Sequence, residues 1–415
     1  MNVLVVSQYF WPESFRINEL VESLLRAGCD VTVLTGQPNY PDGVVFPGYS
    51  PFRVMHQKHE LGYAIYRVPV VPRRRATAWR LAINYGSFVL SASLLGPWLL
   101  RRQNFDVIFV YAPSPVLQAV PGILLKRIKR AALVVWVQDL WPQSLEVTGF
   151  VRSKRLLNIV EKVVSWIYRR SDLILVQSRA FVASVRNIAG VTPVDYFPNP
   201  GEAAFLKPQQ AYEQALLLEP GFNVVFAGNL GTAQALDTVL CTAELLRGED
   251  VRFVLVGSGS RSAWLQKEVN LRGLNNVRLP GRFPQEAMPA ILAQASALLV
   301  TLVRNPVMSQ TVPTKIQAYL AAGRPIIASL DGEGAQVVIE SGAGVTCPAE
   351  DASALASAVL TLKAQTAIDL QQMGEAGRRY YRQHFDPEIL AQSLMQRFRE
   401  ITASMPASRV SQPHE

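Results

Sequence analysis

Cysteine is scarce and scattered. Cys29, Cys241 and Cys347 lie too far apart in sequence to suggest a metal-ligand cluster or a disulfide framework, and they suit a reducing compartment. Of four histidines, His56 and His59 stand three apart in loop-to-strand sequence, and with no third ligand evident they do not encode a zinc site. No Asp-x-Asp pair occurs, so a divalent metal held between carboxylates is not encoded in the usual way, and no metal or other cofactor is expected. No G-x-G-x-x-G follows the first apolar run, which removes the dinucleotide fingerprint. The opening MNVLVVSQYF has no basic stretch ahead of its apolar residues and reads as a buried strand, not a signal peptide. A long uninterrupted apolar run is missing too. Trp79–Leu100 comes nearest, but Asn84, three serines, two glycines and Pro97 break it. A bilayer span needs about 20 predominantly apolar residues. A core helix or an interfacial helix is expected there instead.

What is present is core material and an uneven charge. The chain has 415 residues, 49% of them hydrophobic and 18% charged, enough for two globular domains. Residues 1–200 carry 23 Lys and Arg against 12 Asp and Glu, a net +11, while the remainder is close to neutral. The basic groups cluster at Arg73-Arg74-Arg75, Arg101-Arg102, Lys126-Arg127 and Lys129-Arg130. Such asymmetry points to an anionic partner of the first half, or to a plain solvated basic face. Aromatic-interleaved nucleic-acid motifs are absent, so nucleic acid is not expected and an anionic membrane surface is.

Short β-branched runs alternate with helical patterns. Val3–Ser7, a helical repeat through Ile17, Leu20, Val21, Leu24 and Leu25, and Asp30–Thr35 form a strand–helix–strand unit. Further strands are expected at Ala64–Pro69, Val107–Tyr111, Leu133–Val137, Leu173–Gln177 and Asp195–Phe197. Asn199-Pro200-Gly201 breaks the series. A second begins at Asn223–Gly228, with a helix over Ala235–Arg247 and strands at Arg252–Gly257, Val277–Leu279, Ala297–Thr301 and Pro325–Ser329. The expected fold is therefore α/β, with two doubly wound parallel-sheet domains, 1–200 and 201–386, facing a cleft. A helix at about 387–402 is expected to return to the first domain, and 405–415 to be an unstructured tail. Ligands of such sheets bind beyond the carboxyl ends of the strands.

Several candidate groups stand at those ends. Trp11-Pro12-Glu13 follows the first strand and precedes a helix, whose N-terminus is a natural anion site. Val137-Gln138-Asp139-Leu140-Trp141-Pro142 follows another strand. Asp139 is either a loop cap or a carboxylate able to orient or deprotonate a hydroxyl, with the Trp141 indole as a sugar-stacking surface. In the second half, Gly228-Asn229-Leu230-Gly231 lies at a strand-to-helix turn where glycines let a backbone approach a pyrophosphate. Gly257-Ser258-Gly259 stands in the same relation to the next strand, and Lys315, in Pro313-Thr314-Lys315 ahead of a helix, is placed to pair a phosphate.

In these stretches the chain resembles bacterial glycosyltransferase family 4, and within it the N-acetyl-L-fucosaminyltransferase-like subgroup of O-antigen, capsule and exopolysaccharide assembly. The resemblance is carried by QYFWPESFRINELVESLLRAGCDVTVLTGQPNYPDG, NYGSF, VQDLWPQSLEVTG, FAGNLGTAQALDTVL, VPTKIQAYLAAGRPIIASLDGEGAQVV and SGAGVTCPAED, spread from residue 8 to about 351. It implies a GT-B fold and a retaining, metal-independent transfer from a nucleotide sugar. The donor would be UDP-linked, with N-acetyl-L-fucosamine as the sugar to test. The acceptor would be a polyprenyl-diphosphate-linked saccharide, met at the inner membrane face by a cytoplasmic, peripheral enzyme. The nucleotide is expected on the second domain and the acceptor on the first.

Carried over by position, the resemblance puts the family's diphosphate-binding Arg and Lys at Asn229 and Gln234, its E-x7-E motif at Gln310 and Ala318, and its catalytic-region His at Gln138. None is the family's residue. Lys315 and Arg324 are expected to supply the missing charge, and Asp331, Glu333 or Glu340 the missing ribose acceptor. With Gly228, Gly231 and Gly257 these make the expected donor site. Trp11, Arg16, Gln138 and Trp141 make the expected acceptor site, and Asp139 and Glu13 the expected catalytic pair. A nucleotide-sugar 2-epimerase on the same fold and a catalytically silent subunit of a polysaccharide-assembly complex are the rival readings.

Overall fold

Apolar strands that leave no exposed position must be covered on both faces, and here they are. The computed structural model describes residues 1–74, 78–147, 153–202 and 216–405. Two compact units form, Met1–Pro200 together with the segment from Pro387, and Gly201–Asp386.

In the first unit the strands are β1 (Asn2–Ser7), β2 (Asp30–Gly36), β3 (Met55–Lys58), β4 (Ala64–Val68), β5 (Val107–Ala112), β6 (Ala132–Val137), β7 (Leu173–Val176) and β8 (Val194–Tyr196). They pair in the order β3-β4-β2-β1-β5-β6-β7-β8, all parallel except the edge strand β3. Strands β5 and β6 are buried at every position, as expected of a parallel sheet layered on both sides. Alternate residues serve opposite faces. Leu4, Val6, Ile108, Val110, Leu133 and Val135 join one core, and Val3, Val5, Val107, Phe109, Val134 and Trp136 the other. The helices of this part are α1 (Arg16–Arg26), α2 (Ala78–Leu99), α3 (Val120–Lys129), α4 (Gln143–Val147), α5 (Lys154–Tyr168) and α6 (Arg179–Ala189).

The second unit holds β9 (Phe222–Ala227), β10 (Val251–Val256), β11 (Val277–Gly281), β12 (Ala297–Thr301), β13 (Ile326–Ser329) and β14 (Gly344–Cys347), parallel in the order β11-β10-β9-β12-β13-β14. Its helices are α7 (Leu236–Leu245), α8 (Ser262–Leu271), α9 (Met288–Leu292), α10 (Thr314–Ala322), α11 (Glu333–Ser341), α12 (Ala352–Lys363) and α13 (Ala367–His384). Helix α14 (Pro387–Ala403) then packs on the first unit. Its Leu390, Ala391, Leu394 and Phe398 recur at helical spacing and enter the core with α1, where Phe398 meets Phe109 at 5.5 Å. Strand order reverses between β1 and β5 in one sheet and between β9 and β12 in the other, so ligands are expected at those carboxyl ends.

Two strands escape the sequence pattern. The edge strand β3, MHQK, alternates half-buried with exposed and has no apolar run, and β14 is only four residues long. The helix read at Ala235–Arg247 is shorter, Leu236–Leu245, because a 3-10 turn over Thr232–Gln234 and a left-handed Ala235 (φ 45°) precede it. Arg75 and the tail 406–415 lie outside the described residues. No helix among the described residues is long and apolar enough to cross a membrane.

Candidate functional site

The carboxyl edge of the second sheet holds a cavity of about 460 Å³, lined in part by Gly228, Asn229, Gly257, Ser258, Lys315 and Ala318. Two glycines bring its walls together. Gly228 (φ 132°) and Gly257 (φ 141°) both lie in backbone regions that side chains rarely adopt. A Cβ on Gly257 would fall 1.8 Å from the Gly228 carbonyl oxygen, and one on Gly228 would fall 2.7 Å from Lys315 Cε. The loops are tied as well, Gly228 N–H to Val256 O at 2.9 Å and Leu230 N–H to Ser258 O at 3.0 Å. Those two amides are therefore spent inside the fold. Asn229 and Gly231 keep N–H groups with no backbone partner among the described residues.

Lys315 is the cation of this cavity that the fold holds in place. Its ammonium donates to Gln234 Oε1 and sits 3.7 Å from the centre of the Phe226 ring. Burial pushes it down to about 7. A lysine kept partly neutral in an apolar wall lacks a full counter-charge, and an anion entering the cavity would supply one. Arg282 also lines the cavity, and so does Glu202, which accepts from Gln285 Nε2 at 2.8 Å.

On the first sheet, Asp139 follows β6. Burial pushes its carboxyl up, while hydrogen bonds from the Ser144, Trp141 and Ser114 side chains and from the Leu140 N–H favour the anion. Trp141 also donates to Ser114 Oγ at 3.1 Å. Near Asp139 stands Tyr85 of α2, hydrogen-bonded to Tyr9, which is itself bonded to Arg73 and to Asn84 Oδ1 (3.2 Å). Tyr9, Phe15 and Tyr40 form an aromatic wall with ring centres 5.0–5.6 Å apart, and Arg73 lies 4.9 Å over Tyr40. Three buried polar atoms in these segments, Gln8 Oε1, Arg73 Nε and Gln138 Nε2, have no hydrogen-bond partner among the described residues. Unpaired buried groups of this kind are expected where a ligand completes the bonding.

Residues 221–365 match the family described as glycosyl transferases group 1, and residues 14–200 match the glycosyl transferase 4-like domain. Between them the two matches span most of both units and support a family 4 glycosyltransferase. It is 29% identical over 341 residues to WcaI of Escherichia coli, assigned as a colanic acid biosynthesis glycosyl transferase, covering 78% of this chain and 82% of that one. Among solved structures it resembles the sucrose-phosphate synthase of Thermosynechococcus elongatus, with a TM-score of 0.71 at 18% identity over 97% of this chain and 99% of that one. It also resembles HepE of Anabaena in complex with UDP, with a TM-score of 0.68 at 14% identity over 96% and 100%. These likenesses show the GT-B fold.

Not every expected residue of this glycosyltransferase stands where the sequence suggested. Arg324 does not line the cavity. Its guanidinium donates to Ala293 O at the end of α9, a structural bond. Gln310 turns back to Pro306 O at 3.1 Å, and neither it nor Glu333 lines the cavity. Asp331 is occupied by Ala349 N–H and Arg304, and Glu340 by Gln336 and Tyr380. Gly231 is extended (φ −103°), and a Cβ there would meet only the mobile end of Asn229, so close backbone approach does not demand a glycine. Glu13 is 2% exposed, with Oε1 accepting from the Asn39 and Tyr40 N–H groups and Oε2 from Phe10 N–H. It clamps two loops together, and burial pushes it up to about 7. Trp11 packs edge-on against His59, and Arg16 pairs with Glu19 at 3.3 Å.

The sequence reading missed Glu202 and Arg282 in the cavity, and Tyr9, Tyr85 and Arg73 beside Asp139. Arg282 had a visible signal, the Gly281-Arg282-Phe283-Pro284 turn after a strand. Glu202 had none, since only the tertiary fold brings it to Gln285, in the turn beyond β11.

Proposed function

We propose that the protein transfers a sugar, with retention, from a UDP-linked donor in the second unit's cavity to a lipid-linked saccharide precursor of a surface polysaccharide. The observation that carries this reading is Lys315, held against Gly228, Phe226 and Gln234 at the carboxyl edge of β9. As the anomeric bond breaks, charge gathers on the diphosphate. Lys315, Arg282 and the free N–H groups of Asn229 and Gly231 would stabilise it, with no divalent ion assigned a part. Ala318, at the family's ribose-binding position, lines the cavity without a polar side chain, and Glu202 would take the ribose hydroxyls in its place. The sugar becomes oxocarbenium-like, and the acceptor hydroxyl attacks from the leaving-group side. Asp139 orients that hydroxyl, with Gln138, Tyr85 and Arg73 positioning the rest of the acceptor. A β-phosphate oxygen takes the proton. The resemblance to the N-acetyl-L-fucosaminyltransferase-like subgroup makes N-acetyl-L-fucosamine the sugar to test first. WcaI's assignment to colanic acid assembly supports a polysaccharide precursor as acceptor. That acceptor would be met at the inner membrane face by a cytoplasmic, peripheral protein.

The test is calorimetric titration of the full chain with a UDP-sugar. Lys315→Met is expected to weaken binding about 10- to 100-fold, the worth of one charge-assisted hydrogen bond. Unchanged affinity in a folded variant would remove the cavity from the donor site.

A further inference from the structure

Helix α2 has two jobs on two faces. Inward, Asn84 accepts from Gln8 Nε2 at 2.7 Å and from Tyr9, so the helix holds the cluster beside Asp139. Outward, Trp79, Ile83, Leu90, Leu94 and Trp98 are 61%, 44%, 62%, 68% and 60% exposed. Their spacing of four, seven, four and four residues puts them on one stripe. Every exposed residue from Trp79 to Trp98 is apolar or glycine. An unbroken apolar stripe about the length of the helix is more than scattered surface leucines need.

The ends of the stripe are cationic. Arg80 lies over the Trp79 ring at 5.1 Å and Arg101 over Trp98 at 4.6 Å, with Arg102 next in sequence. The chain has no Asp or Glu between Glu60 and Asp106. Beside the last turn of α2, Lys129 donates to Leu100 O and Gln103 O at 2.6 and 2.7 Å, which joins the end of α3 to it. There a cavity of about 580 Å³ gathers Lys126, Arg127, Arg130, Arg169 and Arg170, against the single acid Asp172, already paired to Lys126 at 2.7 Å.

We propose that this face docks on an anionic bilayer, with α2 lying in the interface plane. The inference deepens the lipid-linked acceptor reading and rests on it. Tryptophans backed by arginines suit the boundary between acyl chains and phosphate headgroups. A second copy of the chain fits poorly, because a two-fold contact along the stripe would set arginine ends against each other with no acid between them. Of the basic clusters in the sequence, the docking contact uses Arg101-Arg102 and the groups from Lys126 to Arg130, and not Arg73–Arg75. Arg73 is engaged by Tyr9 and Tyr40, and Arg75 lies outside the described residues. Docked this way, the helix carries Tyr85 and Asn84 at the level from which a lipid-linked acceptor arrives.

Flotation of the full chain with vesicles of phosphatidylcholine, alone or mixed with phosphatidylglycerol, tests the proposal. Wild-type protein is expected to float with anionic vesicles at low salt and in part at high salt. The Leu90→Glu, Leu94→Glu double variant should lose both fractions while keeping the wild-type circular dichroism spectrum and thermal unfolding transition, which report its folding. Arg101→Ser with Arg102→Ser should lower low-salt affinity about 10-fold and leave the salt-resistant part. Wild-type protein that ignores anionic vesicles overturns the proposal, as does a double-Glu variant that floats normally, or a wild-type dimer that this variant makes monomeric. Transfer to a detergent-solubilised lipid acceptor without vesicle binding sinks the docking surface and leaves the acceptor reading standing. Vesicle binding through this face with transfer only to water-soluble acceptors does the reverse.

Discussion

At the scale of single residues, the account turns on two groups whose ordinary charge is disturbed. Burial holds Lys315 down to about 7, and a diphosphate favours its ammonium form. Donor binding must then take up a proton. Below pH 7 the lysine is already charged and affinity should be flat. Above it, affinity should weaken by up to about tenfold per pH unit as the free enzyme's lysine goes neutral. Titration with a UDP-sugar from pH 6 to 9 checks this, and the slope should vanish in Lys315→Met. In the proposed function Asp139 acts on the other substrate. Asp139→Asn should lower turnover by about two to four orders of magnitude with donor affinity unmoved, if a positioned carboxylate aids the hydroxyl's attack. Near-normal turnover in the folded variant would leave Asp139 a loop cap. Glu13 carries no such expectation, because its oxygens are spent on three backbone amides.

Among the elements, the loop after β9 separates two glycines that look alike in sequence. Gly228→Ala should displace Lys315 and weaken donor binding, since its Cβ meets Lys315 Cε at a positive φ. Gly231→Ala should bind the donor nearly as wild type, since only the Asn229 side chain need move. Equal losses in the two variants would mean that the loop responds to backbone stiffness and not to Lys315. The same contrast shows what a sequence can and cannot tell. The β-branched runs placed the buried strands within a residue or two, because strands covered on both faces must be continuously apolar. Strand β3 was invisible because an edge strand needs no such run. Lys315 was legible because it stands in the first turn of a helix that follows a proline. Arg324 misled, because its partner, Ala293 O, comes from α9 and no local pattern records that. Glu202 and Tyr85 enter their clusters only through tertiary folding.

For the whole molecule, the account assigns the donor to the unit Gly201–Asp386 and the acceptor to the unit begun by β1 and completed by α14. It assigns the charge of the leaving group to protein cations. The most direct measurement is nucleoside diphosphate release by the wild-type chain from a panel of UDP-sugars, with and without polyprenyl-diphosphate-linked saccharides and with EDTA added throughout. The account predicts release with at least one donor, dependent on the acceptor and unaffected by chelation, and matched by sugar appearing on the lipid-linked product. Release that proceeds equally without acceptor, as from an epimerase or hydrolase, or no release with any donor, would contradict it.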